Sequence, residues 1–334
     1  MYNKTLSIVV PAFNEQENIL ELYNRLKNVL IDYSFEIIFV NDGSNDKSEQ
    51  MISEIANKDS RVKLINFTRN FGHEAATTAG IEYAKGDAVI VLDADLQDPP
   101  EIIPKMVDLW QEGCEVVFAQ RSKRQGEPLL KKITSHLFYR FLDIISETHI
   151  PKDTGDFRLM DRKVVEDFKK LKEKNRLFRG LATWVGYNQT AIEFERQKRF
   201  AGKTKYNYFK LFRLALDSIT SFSTKPLFFI TILGFFISFL SFIAGIIFIF
   251  IKLFYQFPVS GWTSLIITIL FLNGFQIFLI GIVGEYIGRM FLEVKDRPLY
   301  LIRNIVDTEQ KESQEWNDTY TKKCMSSKIS TGGL

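Results

Sequence analysis

The chain has 334 residues, 46% of them hydrophobic, enough for one α/β domain with a sizeable core plus an appendage. Its net charge of +3 is too small to point to a nucleic-acid partner. Two cysteines, Cys114 and Cys324, lie far apart in sequence; they offer no disulfide framework and no zinc spacing, and they fit a reducing compartment.

In chain order, Met1 runs almost directly into the apolar run Leu6 to Val10, with no basic and apolar leader of a secretory signal before it. Leu6 to Val10 is a predicted strand ending at Pro11. Asn14 is the expected N-cap of the next helix, with Glu15 and Glu17 in its first turn. Phe35 to Val40 is a second strand, running into Asn41-Asp42-Gly43-Ser44-Asn45-Asp46, and Arg61 to Phe67 a third. His73 to Lys85 reads as a helix with Gly86 as its C-terminal stop. Ala88 to Leu92 is a fourth strand, Glu101 to Gln111 a helix and Glu115 to Ala119 a fifth strand. Strands separated by helices predict a mainly parallel, doubly wound sheet.

From Pro128 to Ile150, Leu130, Ile133, Leu137, Phe141 and Ile144 recur at helical spacing among Lys131, Lys132 and Arg140. That pattern suits a helix lying in a membrane interface, and equally a core-facing helix; the apolar segments downstream favour the interface. Tyr206 to Ser223 carries a similar mix. Leu227 to Ile251 and Gly261 to Gly284 hold no charged residue, and each exceeds the roughly 20 residues that cross the hydrocarbon core. Basic residues flank the pair, from Arg196 to Lys225 before it and from Arg289 to Arg303 after it, while Lys252 alone marks the connector. The positive-inside rule therefore puts both ends in the cytoplasm. After Asp307 the chain is polar and reads as a tail, disordered toward its end.

Chemistry concentrates at the predicted strand ends. Val10-Pro11-Ala12-Phe13-Asn14-Glu15 closes the first strand, Asn41-Asp42 the second and Asp93-Ala94-Asp95-Leu96-Gln97-Asp98-Pro99-Pro100 the fourth. In open α/β sheets, ligands bind outside these carboxyl ends. Carboxylates one residue apart suit Mg²⁺ or Mn²⁺, which share their ligands with substrate phosphates. Alone, such a pair is as readily a solvated turn closed by Pro99-Pro100. No dinucleotide glycine motif or P-loop is present. The three histidines, His73, His136 and His149, show no metal-binding spacing and read as structural.

These residues resemble glycosyltransferase family 2. With Arg121-Ser122-Lys123-Arg124-Gln125-Gly126-Glu127, Thr154-Gly155-Asp156-Phe157-Arg158-Leu159-Met160 and Ala201-Gly202-Lys203-Thr204-Lys205-Tyr206, they are similar to the polyisoprenyl-phosphate glycosyltransferases, which include the dolichol-phosphate mannose synthases. Asn175-Arg176-Leu177-Phe178-Arg179-Gly180-Leu181 and the two apolar segments look closest to the bacterial bactoprenol glucosyltransferases. The likeness covers residues 5 to 300 or so.

The resemblance implies an α/β fold of GT-A type, a mainly parallel sheet with helices on both faces, plus amphipathic interface helices and two transmembrane helices. It places a cytoplasmic catalytic domain over 1–200 with an interface helix over 128–150. A juxtamembrane amphipathic segment over 201–226, two transmembrane helices over 227–289 and a tail over 290–334 complete the chain. The implied reaction is inverting transfer of a hexose, glucose from UDP-glucose, to undecaprenyl (polyprenyl) phosphate at the bacterial inner membrane. The product would serve surface-glycan modification, such as that of a lipopolysaccharide O-antigen. By family likeness, Asp95 and Gln97, with Asp93, hold Mg²⁺ or Mn²⁺. Pro11, Asn14, Glu15, Asp42 and Asp93 line the nucleotide-sugar pocket, and Arg121, Arg124, Arg199 and Lys205 meet the acceptor phosphate. Asp95 and Arg121 join Asp156 among the catalytic residues; Asp156 sits where the family has its catalytic carboxylate.

A phosphate monoester, with a second pKa of about 6, is already mostly dianionic near neutral pH, so Asp156 need not act as a strong base and is expected to orient the acceptor or an arginine. Alternatives within and outside this class are transfer of another sugar (mannose, N-acetylglucosamine or an amino sugar), a processive synthase, and a non-catalytic nucleotide-sugar-binding scaffold. The processive synthase is disfavoured because no Q-x-x-R-W motif is present. A homo-oligomer is also expected.

Overall fold

The computed structural model describes residues 4–121, 154–174, 176–195, 225–254 and 261–307. The expected interface helix over 128–150, the segment 201–224 and the tail beyond 307 lie outside these residues. The chain divides into two compact units, and the first holds an eight-stranded sheet.

Strands β1 (Thr5–Ala12), β2 (Ser34–Asn41), β3 (Val62–Phe67) and β4 (Ala88–Val91) are mutually parallel, in the spatial order β4-β1-β2-β3. The chain passes between them through α1 (Ile19–Val29), α2 (Ser48–Lys58) and α3 (His73–Tyr83), as alternating apolar runs and amphipathic helices require. A 3₁₀ turn (Pro100–Ile102) and α4 (Ile103–Gln111) lead to β5 (Val116–Arg121). The sheet continues with β6 (Thr154–Asp161) and β7 (Gln189–Phe194), joined through α5 (Arg162–Lys170) and α6 (Phe178–Trp184). The full order is β7-β5-β6-β4-β1-β2-β3-β8, with β8 formed by Ile302–Val306.

The sheet is mixed rather than wholly parallel. β6 runs antiparallel to both β4 and β5, and β8 antiparallel to β3. Alternation sorts the strand side chains between two faces. Leu6, Ile8 and Val10, with Ile37, Phe39, Ile90, Phe157 and Leu159, pack against α1, α2 and α4 in the main apolar core. Each such fully buried side chain contributes about 1.5–3 kcal/mol of hydrophobic stabilisation. The opposite face carries Ser7, Val9 and Ile38 and receives α3. There α3 packs so tightly that a Cβ on Gly80 would fall 2.1 Å from Val9 Cγ1.

Two local expectations are corrected. Asn14 is not a helix cap: α1 starts at Ile19 after Asn18, and Asn14 adopts the left-handed region at φ 56°. Its backbone N–H donates to Ser44 Oγ (3.0 Å) and its Oδ1 accepts from Asn45 N–H (2.8 Å), stitching the β1 loop to the β2 loop. Gly86 does not end α3, which stops at Tyr83. It sits where the chain passes β1 so closely that a Cβ would fall 2.7 Å from the Thr5 carbonyl.

The segment after the second apolar stretch, expected as tail, instead supplies β8. Tyr300 stacks on Phe67 with ring centroids 4.9 Å apart and its hydroxyl donates to Glu82. Asn66 Nδ2 donates to Asn304 Oδ1 (3.3 Å), and the buried Lys63 ammonium lies 3.0 Å from Glu36 and 3.5 Å from Asp307. A buried charge with two carboxylate partners and further hydrogen bonds is the arrangement that offsets its desolvation.

The second unit holds α7 (Lys225–Phe254) and α8 (Trp262–Val294). Both are long and apolar enough to cross a membrane. Their large apolar side chains, including Phe235 at 68% and Phe271 at 71% exposed, are not those of a buried core helix.

Candidate active site

The carboxyl ends of β1, β2 and β4 carry the expected polar residues, and the direction of β6 adds another. In the β4–β6 ladder Val91 faces Arg158. Carrying that register two residues further brings Asp156 opposite Asp93, at the edge where the parallel strands end. Antiparallel pairing thus delivers the first residues of β6 to the carboxyl edge of β4.

The third partner comes from α3. Gly72, at φ 103°, turns the chain into the helix, a backbone conformation that favours glycine. Asp42, buried at the end of β2, fixes this turn by accepting the N–H groups of Phe71 (2.7 Å) and Gly72 (3.0 Å). Burial nonetheless pushes the Asp42 carboxyl above its ordinary value, with those two bonds acting in the opposite sense. His73, the first residue of α3, then places Nε2 3.1 Å from Asp156 Oδ2 and 3.5 Å from Asp93 Oδ1. One ligand atom from each of His73, Asp93 and Asp156 lies within 4.8 Å of the others, a set able to hold a metal ion. His73, read from its spacing as structural, thus meets two carboxylates that lie 20 and 83 residues away in sequence, contacts that sequence spacing could not reveal.

Around Asp156 lies a buried charge network. Asp156 and Arg158, two apart on β6, share one face. Arg158 is 2% exposed, lies over the Phe178 ring at 5.0 Å and donates to the Gly155 carbonyl (3.3 Å). Arg179 on α6 brings Nε to 3.7 Å from Asp156 Oδ1. Glu74 accepts the Phe178 N–H (2.8 Å), tying the start of α6 to the start of α3. Burial by itself would raise the Asp156 carboxyl, but the His73 bond and the charges of Arg179 and Arg158 hold it well below the usual carboxylate range. Partial burial opposes the charge on His73, yet Asp93 and Asp156 override it and raise the imidazole to about 10. Glu74, raised first by burial and then by the Asp156 charge, lies at about 7. Burial lowers Arg158 to about 10.

The D-x-D loop follows the alternation its sequence implies. Asp93, Asp95 and Gln97 are half-buried, whereas Ala94, Leu96 and Asp98 between and after them are buried. Leu96 takes φ 59°, and Gln97 N–H donates to Asp95 Oδ1 (3.1 Å). Pro11 is buried in β1 opposite Val40, and Glu15 accepts from Asn18 Nδ2 (2.6 Å). Arg121 closes β5. Arg124, Arg199 and Lys205 lie outside the described residues.

The model of the family described as Glycosyl transferase family 2 matches residues 7–168. An uncharacterized glycosyltransferase of Bacillus subtilis, YkcC, is 49% identical over 307 residues, covering 91% of this chain and 95% of that one. The SfII prophage-derived bactoprenol glucosyl transferase of Shigella flexneri is 46% identical over 89% of this chain and 97% of its own length. The prophage bactoprenol glucosyl transferase homolog of Escherichia coli is 44% identical over 90% and 99%. Among solved structures, glucosyl-3-phosphoglycerate synthase from Mycobacterium tuberculosis superposes with a TM-score of 0.47 at 16% identity, over 65% of this chain and 78% of that one. Matched along nearly its whole length by these relatives, the chain belongs to glycosyl transferase family 2.

Proposed function

We propose that this protein transfers a hexose, glucose from UDP-glucose, to undecaprenyl phosphate with inversion at the anomeric carbon. The observation that carries this reading is the 46% identity, over 97% of its length, to a protein named as a bactoprenol glucosyl transferase. In the step, a phosphate oxygen of the lipid bonds to the anomeric carbon while the bond from that carbon to the nucleoside diphosphate breaks. The diphosphate leaves with the bonding electrons, and no proton need move, because the acceptor enters as a dianion.

The carboxylates gathered at this edge fit a small, hard divalent cation such as Mg²⁺ or Mn²⁺. Asp93, Asp95 and Gln97, with His73 and Asp156 adjoining, would hold it; bound there it supplies positive charge to the leaving diphosphate. Pro11, Asn14, Glu15 and Asp42 frame the nucleotide side, with Asn14 and Asp42 acting through the loops they fasten. Arg121, Arg124, Arg199 and Lys205 serve the acceptor phosphate. Asp156, already paired with His73, positions groups rather than abstracting a proton.

The apolar helices α7 and α8 cross the inner membrane, and the sheet lies on the cytoplasmic side. The protein works as a homo-oligomer, and its lipid-linked product feeds surface-glycan modification.

The test is transfer of label into an organic extract by purified protein given undecaprenyl phosphate, a panel of labelled UDP- and GDP-sugars and Mg²⁺ or Mn²⁺. Label entering the lipid phase from UDP-glucose alone, and lost with chelator, is the expected result. Transfer from another donor reassigns the sugar. Nucleotide binding with no transfer from any donor makes the protein a binding scaffold and overturns the proposal.

A further inference from the structure

We propose that Arg179, at the start of α6, is a substrate-binding residue whose guanidinium grips the phosphate of the lipid acceptor. The inference rests on the transfer reaction above and adds a residue that its acceptor set lacks.

The four arginines between the start of β6 and the end of α6 differ in how their donors are used. Arg162 gives its guanidinium to the Gly86 and Ala84 carbonyls and to Glu166. Arg176 is likewise occupied, by the Glu173 and Leu171 carbonyls and by Thr78 Oγ1. Arg158 is fully enclosed against Phe178 and out of reach of a ligand. Arg179 is different on both counts. Its side chain is 35% exposed, and among the described residues its only hydrogen bond is a long one, 3.5 Å from Nη1 to the Thr154 carbonyl. A guanidinium has five N–H donors in a planar fork matched to phosphate oxygens. Most of this fork is uncommitted.

The surroundings aim it. Asp156 Oδ1 and Arg179 Nε are both buried atoms without a hydrogen-bond partner, 3.7 Å apart: close enough to attract, too far to bond. Buried polar atoms left unsatisfied are rare in native structures and call for an explanation, and at a half-exposed guanidinium a bound anion supplies one. His73 fastens the other oxygen of Asp156, so the carboxylate is a fixed support for Arg179. Contacts link Asp93 to His73, His73 to Asp156 and Asp156 to Arg179, so Arg179 meets the carboxylate assigned to the donor only through two intervening side chains. Both substrates carry phosphate, and the experiment separates them.

Arg179→Gln and Arg179→Lys would be made in the full chain. Each would be measured for KM toward undecaprenyl phosphate, KM toward the nucleotide sugar, direct nucleotide-sugar binding and melting temperature. For Arg179→Gln the acceptor KM should rise at least tenfold, with donor KM and donor binding within twofold of wild type and melting unchanged. Arg179→Lys should fall between, because an ammonium keeps the charge but not the fork. An unchanged acceptor KM with lowered kcat would mean that Arg179 only supports Asp156, and equal losses for both substrates would put it on the donor diphosphate; either overturns the proposal. Should Arg179→Gln melt well below wild type, Arg179→Lys decides: a threefold or greater rise in acceptor KM supports the assignment, and a wild-type value overturns it. If the wild-type protein moves no sugar to the lipid, the reaction and this inference fall together. If it does and Arg179→Gln behaves as wild type, only this inference falls.

Discussion

His73 Nε2 lies 3.1 Å from Asp156 Oδ2 across 83 residues of sequence, and that contact organises the site. It joins the first turn of α3 to the first residues of β6, two elements brought together only by the antiparallel course of β6 beside β4. A hydrogen bond between an imidazole and a buried carboxylate fixes both groups.

His73→Gln removes that fixing and one nitrogen able to ligate a cation. A hydrogen bond to a charged group contributes about 1.5–3 kcal/mol, so turnover should fall about 10- to 100-fold with the fold retained. Steady-state kinetics with a melting curve provides the check. Undiminished turnover would show that Asp156 is held well enough by Arg179 and the backbone alone. Mn²⁺ titration followed by electron paramagnetic resonance tells a lost ligand from a lost hydrogen bond.

Asp95 sits half-buried on the loop beyond β4, and its Oδ1 accepts the N–H of Gln97 two residues on. It supports little of the core, so Asp95→Ala should reduce transfer at least about 100-fold, the scale of losing about 2.7 kcal/mol of transition-state stabilisation, while melting stays near wild type. Chelator should have the same effect on the wild-type protein and be reversed by Mn²⁺ or Mg²⁺. Full activity in chelator would remove the divalent ion from the reaction.

Gly80 lets α3 lie directly on β1. A methyl group there would fall 2.1 Å from Val9 Cγ1, which is buried and has little room to yield. Gly80→Ala should therefore destabilise by about 1–3 kcal/mol, despite the better helix propensity of alanine, which contributes only about 1 kcal/mol in the other direction. Because α3 carries His73 and Glu74, activity should fall along with melting temperature. A variant as stable and active as wild type would mean that α3 can lift off the sheet at no cost.

Asp59 gives a pH dependence remote from the site. The Arg61 guanidinium, bonded to both its oxygens, and the Tyr23 hydroxyl hold its carboxyl far below the ordinary range. The unfolded value is about 3.9. A lowered folded pKa contributes stability that is present above about pH 4 and is lost as pH falls through the folded value. Asp59→Asn should thus melt below wild type at pH 7, by about 2–4 °C for each kcal/mol lost. The gap should close as the pH is taken below about 4. A gap that persists unchanged in acid would assign the effect to packing rather than to charge.

Much was legible along the chain. The alternation of apolar runs and amphipathic helices marked the first five strands, because a parallel sheet buried on both faces needs continuous apolar strands and crossover helices. The two long apolar stretches identified α7 and α8 by length and composition alone. Asp93, Asp95 and Gln97 stand just past β4, as the sequence places them, and the loop keeps their alternation. Less was legible wherever a role depends on distant partners. Asn14 has the composition of a cap, yet its side chain meets Asn45 instead. The expected domain bounds count 290–334 as a tail, yet Tyr300 and Asn304 within it find Phe67 and Asn66 on β3.

What the sequence by itself determined is therefore the set of local elements and the family chemistry at their ends, since both depend on near neighbours and short spacings. What only the tertiary structure decided is which charges face one another. His73, Asp93, Asp156 and Arg179 come from four elements, and strand direction is not written in the residues of a strand. Whether β6 ran parallel or antiparallel to β4 settled if Asp156 would reach the carboxyl edge of the parallel strands or the opposite end of the sheet. The antiparallel choice placed it beside His73, where the field of neighbouring charges, falling off within a few ångströms, gives each group its state.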